Sequence, residues 1–305
     1  LFVMPLFHIS GQYMMSVALY AGGKLVIDDG FNPKYFIQML EDTDCQSFSA
    51  VPTMLAYLNK MKEYQGGHII EKASYAFVGS APLAFELLDS FEKKFGLEII
   101  EGYGLTESTN GTINNPPHAT RKGSIGKPLD GVLAKICDPE GQEVAGGETG
   151  EIVLQGPNIM KGYYNNQKAT EETKKDGWLH TGDVGHVDAD GYFYITGRKK
   201  DMIIRGGENI YPKEIEELIY KLSEVSECCI LGVPDEVYGE QVLAAIHLKD
   251  GESLEEKEVK SFLSQNLARY KVPAYIMFVN DFPRTASGKI QKPELKEQLL
   301  PKLKK

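Results

Sequence analysis

The stretch Ser74 to Glu107, SYAFVGSAPLAFELLDSFEKKFGLEIIEGYGLTE, decides the fold. Ser74 to Val78 and Glu98 to Ile100 are short β-type runs, and between them Ala84, Leu87, Leu88, Phe91 and Phe95 recur at i, i+3, i+4, i+7 and i+11, one face of a helix. A strand, a crossover helix and a second strand make a parallel pair. The same alternation extends upstream. Lys24 to Ile27 and Ser47 to Val51 read as strands, and Pro33 after Asn32 suits the first turn of a helix that turns Phe36, Ile37 and Leu40 inward. The fold class implied is α/β, a mainly parallel sheet covered by helices, with ligands at the carboxyl ends of its strands.

Downstream the texture changes. From Gly123 to Thr196 short runs such as Gly150 to Leu154 and Gly191 to Ile195 are punctuated by Gly, Pro and Asp, which predicts a β-rich subdomain. The charged run Arg198-Lys199-Lys200-Asp201 then precedes Met202-Ile203-Ile204 and a glycine pair, and a domain boundary is placed there. Beyond it Pro212 opens a helix with Glu214 near its positive end and a stripe of Ile215, Leu218, Ile219 and Leu222. Val242, Ala244, Ile246 and Leu248 alternate as a strand, and Ser253 with Glu256 forms a capping-box pattern before Val259, Phe262 and Leu263. The predicted organisation is an α/β lobe over residues 1–122, a β-rich subdomain over 123–198 and a small α+β domain over 199–305.

Composition sets the outer limits. The chain has 305 residues, 42% hydrophobic and 25% charged, which suits two domains with real cores rather than a disordered chain. Lys plus Arg is 33 against Asp plus Glu 43, a net charge of −10. An acidic surface argues against a nucleic-acid partner, since phosphate backbones are held by arrays of cations, but leaves small phosphorylated ligands open. Cys45, Cys137, Cys228 and Cys229 have neither the density nor the spacing of a disulfide framework or zinc site, so a reducing, cytoplasmic compartment is expected. No apolar run approaches the ~18–20 residues that span a bilayer. The start, Leu1-Phe2-Val3-Met4-Pro5, lacks the basic and long apolar regions of a signal peptide, and its abrupt apolar beginning suggests a fragment.

The strongest local signal is Glu101-Gly102-Tyr103-Gly104-Leu105-Thr106-Glu107, directly after a predicted strand. Gly102 and Gly104 let backbone turn tightly beside a ligand, Tyr103 offers an aromatic face to a base, Thr106 a phosphate donor and Glu107 a hard oxygen for Mg²⁺. Glu107 stands where a dinucleotide fingerprint needs its third glycine, so a Rossmann site is rejected. Ser287-Gly288-Lys289-Ile290 is not a Walker loop, because the upstream glycine spacing and a following Ser or Thr are missing. Leu179-His180-Thr181-Gly182-Asp183 places a carboxylate where it could accept both hydroxyls of a ribose, and Arg198 could reach the same sugar or a phosphate. Pro283 to Lys289 presents a lysine on a Gly-containing loop, suited to a developing oxyanion. Taken singly, a tight turn, a capping aspartate, a solvated basic cluster and a surface lysine explain these features equally well.

As an ordered set the motifs resemble the adenylate-forming superfamily of acyl-CoA synthetases, luciferases and amino-acid adenylation domains, and among these the fatty-acid–CoA ligase type. The resemblance runs from Pro5-Leu6-Phe7-His8 nearly to the C-terminus. It includes Gly79-Ser80-Ala81-Pro82-Leu83, GYGLTES, the Thr-Gly-Asp triplet, GRKKDMIIRGGENIYPKEIEE from Gly197 to Glu217, Val233 to Glu236 with Tyr238-Gly239-Glu240, and Ser287-Gly288-Lys289.

The resemblance implies that a carboxylate attacks the α-phosphorus of ATP, giving an acyl-adenylate and pyrophosphate, and that the thiol of coenzyme A then displaces AMP. It implies Ser80, Ala81, Pro82 and Tyr103 at the adenine, Gly104 at the close backbone approach, Thr106 at the α-phosphate and Glu107 at magnesium. Asp183 and Arg198 would hold the ribose, Lys289 would bridge phosphate and carboxylate oxygens, and His8 would stand beside the acyl carboxylate; a histidine packed in an apolar run is the plain alternative for His8. The small C-terminal domain would be mobile about Lys200, exchanging Lys289 for Arg205-Gly206-Gly207-Glu208, whose Gly206 and Gly207 would admit pantetheine. From Arg269 to Lys305 nine basic residues face three acidic ones, which suits coenzyme A phosphates or simply a soluble terminal helix.

One departure from the family is plain. Its Gly/Ser/Thr-rich phosphate loop lies upstream of the His8 segment, and this chain has no such stretch. The chain is therefore expected to be the later part of an enzyme, binding nucleotide poorly alone, with part of its core exposed or closed by another copy in a homo-oligomer. Two classes of function follow. One is an acyl-CoA ligase acting on a fatty or similar apolar acid, favoured because His8-Ile9-Ser10-Gly11 lacks the Asp that amino-acid activators present there; luciferase-like or other adenylating chemistry shares the scaffold. The other is a non-catalytic nucleotide-binding or interaction module.

Overall fold

Parallel pairing builds the first sheet. β1 (Ser47–Ala50), β2 (Tyr75–Val78) and β3 (Glu98–Tyr103) lie side by side, Ser47 opposite Tyr75 and Tyr75 opposite Glu98. β4 (Ile113–Asn114) and β5 (Lys127–Pro128) extend the sheet antiparallel, in the order β1-β2-β3-β4-β5. The computed structural model describes residues 1–64, 70–79, 83–285 and 288–303, and divides into the units Leu1–Ile195 and Thr196–Lys305.

The helices of the first unit are α1 (Ile9–Tyr20), α2 (Pro33–Asp42), α3 (Pro52–Lys60) and α4 (Phe85–Phe95). Asn32 caps α2 by accepting the Lys34 N–H at 3.1 Å, and Pro33 opens it, while Phe36, Ile37 and Leu40 are buried. Leu88, Phe91 and Phe95 of α4 join Leu55 and Leu58 of α3 and Phe48, Ala76 and Ile99 of the strands in one core. Phe36 and Phe48 meet edge to face at 5.1 Å. Lys94 ties α4 to the end of α3, donating to the carbonyls of Leu58, Asn59 and Met61 at 2.7–3.2 Å. The last carbonyls of a helix lack the i+4 donors of its interior, so the ammonium closes the helix.

Two expectations need correction here. Lys24 to Ile27 forms no strand, because its neighbour is the short N-terminal stretch and only the bridge between Phe2 and Ile27 is made. β3 runs on through Gly102 and Tyr103, since β4 supplies a pairing partner that the apolar pattern does not show. The segment after it is a single 3₁₀ turn, Thr106–Ser108.

A second, antiparallel sheet follows, its last strand running past Ile195 into the residues of the second unit. It comprises β6 (Leu133–Cys137), β7 (Gly150–Gln155), β8 (Lys174–Lys175), β9 (Trp178–Val187) and β10 (Phe193–Arg198), with α5 (Gln167–Thr173) between β7 and β8. The order is β10-β9-β7-β6, and β8 pairs with β9. Gly191 and Tyr192, read as strand, form the turn into β10. Tyr103 and Ile113 pack into one core with Ile136, Ile152, Leu154, Leu179 and Phe193, which joins the two sheets.

The second unit is a sheet with two cores. β11 (Ile203–Arg205) and β12 (Glu208–Ile210) form a hairpin, and β13 (Val225–Asp235) and β14 (Gly239–Leu248) a long antiparallel pair, with β15 (Tyr275–Phe278) parallel to β14. Side chains alternate across a strand. Cys228, Ile230, Val242, Ala244 and Ile246 therefore pack with α6 (Pro212–Ile219) and α7 (Glu256–Asn266). Cys229, Leu231, Val233, Leu243 and Ala245 pack with Phe282 and with Leu295 and Leu299 of α8 (Lys292–Leu303) on the other face. The alternation of Val242, Ala244, Ile246 and Leu248 thus marks one of two buried faces. α7 starts at Glu256, later than Ser253 suggests, and Glu258 accepts the Glu255 N–H at 2.8 Å. α6 ends at Ile219, one turn before Leu222.

Two predictions follow from this packing. A Cβ at Gly104 would overlap the Asn110 carbonyl oxygen. Gly104→Ala should cost about 3 kcal/mol or more, seen as a fall of roughly 6 °C or more in melting temperature; an unchanged melt would contradict the close approach. The second concerns Glu216 of α6, whose carboxylate accepts the Ile230 N–H at 3.0 Å. Burial pushes this carboxyl up, and Lys292 opposes the shift. A carboxyl raised in the folded state stabilises most below its unfolded value, and that contribution is lost as pH rises through the folded value. Glu216→Gln keeps the acceptor and removes the titration. From about pH 4 to about pH 7.5, the melting temperature of the variant should gain on the wild type, by ~4 °C for each ~1 kcal/mol; a constant difference would show a carboxyl that titrates as if in water.

Candidate functional site

The end of β3 and the middle of β9 meet. Tyr103 donates its hydroxyl to Asp183 Oδ2 at 2.6 Å, and both residues are buried, at 9% and 3% exposure. The ring is therefore fixed at both ends, by its strand and by the carboxylate. A carboxylate taken from water needs such partners, because desolvation penalises its charge heavily.

The loop from Gly104 to Thr112 is held from inside. The Leu105 N–H donates to Ser108 Oγ at 3.0 Å, and the Thr112 hydroxyl reaches the same oxygen at 2.7 Å, with Ser108 and Thr112 fully buried. Asn158 clamps it from the segment after β7, donating Nδ2 to the Ser108 carbonyl at 2.9 Å and accepting the Thr109 hydroxyl at its own carbonyl at 2.7 Å. The Met160 N–H donates to the Glu107 carbonyl at 2.8 Å. Thr106 is exposed at the head of the 3₁₀ turn. Glu107 Oε1 accepts the Tyr163 hydroxyl at 2.7 Å, and burial, then this hydrogen bond, pushes the Tyr163 phenol above its ordinary value.

Asn158 and Tyr163 are thus part of the site, although sequence reading did not single them out. Each is about 50 residues from what it holds, and no spacing rule links them.

His8 stands at the N-cap of α1, where Nδ1 accepts the Ser10 N–H at 3.2 Å and pairs with Ser10 Oγ at 2.7 Å. This capping is a structural use of His8 that sequence reading did not weigh. Ser80, Ala81 and Pro82 lie outside the described residues, as do Ala286 and Ser287.

Arg198, Lys200, Gly206, Gly207 and Lys289 belong to the second unit. Lys200 is in the 3₁₀ turn Lys199–Asp201, and Lys292 of α8 donates to Asp201 at 3.2 Å. Gly206 and Gly207 are the two residues between β11 and β12, with φ of +60° and +89°. Positive φ at both positions is what a tight hairpin turn demands, so local geometry alone explains this pair. The Gly206 N–H donates to the Tyr238 carbonyl at 2.9 Å, and the Arg205 guanidinium lies 4.8 Å over the Tyr238 ring. Lys289 is exposed on the turn after Arg284, its N–H donating to Thr285 Oγ1 at 3.1 Å and its carbonyl accepting the Thr285 N–H at 2.8 Å. Arg284 forks onto Glu227 of β13 and donates to the Gly288 carbonyl at 3.2 Å, which fixes the base of this turn.

Among the described residues no group of three or more His, Cys, Asp or Glu could hold a metal ion. The hard carboxylate oxygens of Glu107 instead fit a cation that arrives with ligand oxygens, as Mg²⁺ does with phosphates. No helix among the described residues is long and apolar enough to cross a membrane. A surface depression of about 340 Å³ beside Lys34, Gln38 and Tyr64 contains none of the expected site residues.

Comparison with known proteins places these features. Residues 1–164 match the family model of the AMP-binding enzyme, and residues 214–289 that of the AMP-binding enzyme C-terminal domain. The chain is 38% identical over 298 residues to the sulfoacetate–CoA ligase of Cupriavidus necator, covering 96% of this chain and 57% of the relative. It is 38% identical over 299 residues to the long-chain-fatty-acid–CoA ligase of Bacillus subtilis, covering 97% and 53%. The o-succinylbenzoate coenzyme A synthetase of Bacillus subtilis, solved with ATP and magnesium ion, superposes with a TM-score of 0.86 at 33% identity over 96% of this chain and 60% of that one. The chain thus spans just over half the length of the curated relatives it matches. With two family models in order along it and an α/β architecture shared with the solved enzyme, the chain belongs to the AMP-binding enzyme family, the adenylate-forming enzymes that its motifs resemble.

Proposed function

We propose that this chain carries out the adenylate-handling and thioester-forming chemistry of an AMP-forming acid–thiol ligase. A carboxylate attacks the α-phosphorus of ATP with loss of pyrophosphate, and the sulfur of coenzyme A then attacks the acyl carbonyl, expelling AMP. The observation that carries this reading is the buried contact of Tyr103 with Asp183. It gathers two motif segments 80 residues apart at the carboxyl end of a parallel strand, where ligands of open α/β sheets bind.

In this reading Tyr103 lies against the adenine and Asp183 accepts ribose hydroxyls. Thr106, exposed on the turn, donates to the α-phosphate, and Glu107, oriented by Tyr163, would hold Mg²⁺, which neutralises phosphate charge when bound. Two anions, carboxylate and nucleotide, react only where cations are arranged in advance. Lys289 supplies one, on a turn stiffened by Arg284 and Glu227. The second unit pivots at Lys200, so that the Gly206-Gly207 turn replaces Lys289 for the thiol step. The acid is apolar, a fatty or similar one: the stretch His8-Ile9-Ser10-Gly11 carries no Asp that could hold a substrate ammonium, and the helix that it opens, ISGQYMMSVALY, is rich in apolar side chains. The four cysteines are buried and unpaired, which suits a reducing, cytoplasmic setting.

Incubating the chain with a preformed fatty acyl-adenylate and coenzyme A should give thioester and AMP without ATP; absence of both product and nucleotide binding would favour a non-catalytic module. In the full-length protein, Lys289→Ala should slow adenylate formation at least ~100-fold, as for other groups aimed at developing charge. Its effect on thioester formation from preformed adenylate should be small, and equal losses in the two half-reactions would contradict the assignment.

A further inference from the structure

Between β7 and β9 the register breaks at the site. Glu151 pairs with Val184 and Val153 with His180, so Ile152 alone faces Thr181, Gly182 and Asp183. This is a β-bulge, and Gly182, at φ +72°, makes its bend. A bulge leaves ladder groups without strand partners, and two side chains replace them. The Thr181 hydroxyl donates to the Ile152 carbonyl at 2.7 Å and accepts the Asp183 N–H at 3.0 Å. Glu151, 6% exposed, accepts the Gly182 N–H on Oε1 at 2.9 Å and meets His180 Nδ1 on Oε2 at 2.8 Å. A carboxylate only accepts, so His180 carries its proton on Nδ1.

We infer that Glu151 is a positioning residue for nucleotide binding: by holding the Gly182 N–H and the His180 ring it sets the bulge that aims Asp183 at a ribose. The inference rests on the nucleotide reading above. Glu151 reaches no ligand itself. It fixes Gly182 and His180, one and three residues before Asp183, and the carboxylate of Asp183 is then delivered to the Tyr103 hydroxyl at 2.6 Å. Removing Glu151 would leave a half-buried N–H and a half-buried imidazole without their acceptor, and the bulge would relax toward regular pairing, which turns Asp183 away.

The test compares AMP with 2′,3′-dideoxy-AMP by calorimetry on the 305-residue chain. Wild type should prefer AMP by about 10-fold or more, the scale of hydrogen bonds to a charged group. Glu151→Ala should lower that preference below ~3-fold while changing the affinity for the dideoxy compound less than ~3-fold, because only the ribose contact depends on the bulge. Glu151→Gln should restore the preference, since its carbonyl can accept from Gly182 and its amide can donate to the other His180 tautomer. If Glu151→Ala does not fold, Glu151→Asp, one methylene too short to reach both partners, should show the same loss. A folded Glu151→Ala or Glu151→Asp that keeps the wild-type preference, or that weakens both nucleotides equally, overturns the role of Glu151. A wild-type chain that binds neither nucleotide, or binds both alike, overturns the nucleotide reading itself.

Discussion

A hydroxyl at the end of a parallel strand and a carboxylate in the middle of an antiparallel one, 80 residues apart, meet at 2.6 Å in the interior of the first unit. The arrangement depends on desolvation. A carboxylate as buried as Asp183 is tolerated only where donors await it, and each donor must be delivered by an element with its own reason to be there. Tyr103 arrives because β4 extends the pairing of β3 beyond its apolar stretch. Asp183 arrives because a bulge, stitched by Thr181 and Glu151, interrupts β9 at the same level. The shared core of Ile113, Ile136, Ile152, Leu154, Leu179 and Phe193 holds the two sheets in the register that allows the contact.

The second unit meets a similar demand by different means. Its central strands are buried on both faces, so the polar groups proposed to carry function sit on turns at the rim. Each of these turns is braced by a residue distant in sequence: Tyr238 beneath Gly206, Glu227 beneath Arg284, and Lys292 beneath Asp201. Bracing of this kind reduces the number of conformations a functional turn must lose when it binds, and it places a charge such as that of Lys289 on a defined stem.

Much of this was legible beforehand. Phe36, Ile37 and Leu40, and Leu88, Phe91 and Phe95, announce their helices by spacing, and Asn32-Pro33 marks a start, because helical period and cap chemistry are local properties. The motif segments around Tyr103, Asp183 and Lys289 also stand out, since glycine next to a polar residue in a turn is a local signature. Less legible were the strand ends. Lys24 to Ile27 has the composition of a strand and finds only a bridge, whereas Gly102 and Tyr103 do not look like strand and are paired. Whether an extended segment becomes a strand is settled by its neighbour.

The sequence by itself determined an α/β fold whose strand–helix alternation gives way to short, Gly-punctuated strands, and which segments hold the motifs, because periodicity, turn residues and composition act within a few residues. Tertiary structure alone decided which side chains serve them. Glu151 looks like any polar residue in a strand, Tyr163 and Asn158 like loop residues, and Glu227 like one acid among 43 Asp and Glu. Their importance comes from who lies opposite when strands pair and loops fold back. That choice is made by core packing and by the need of buried polar groups for partners, over distances that no local pattern spans.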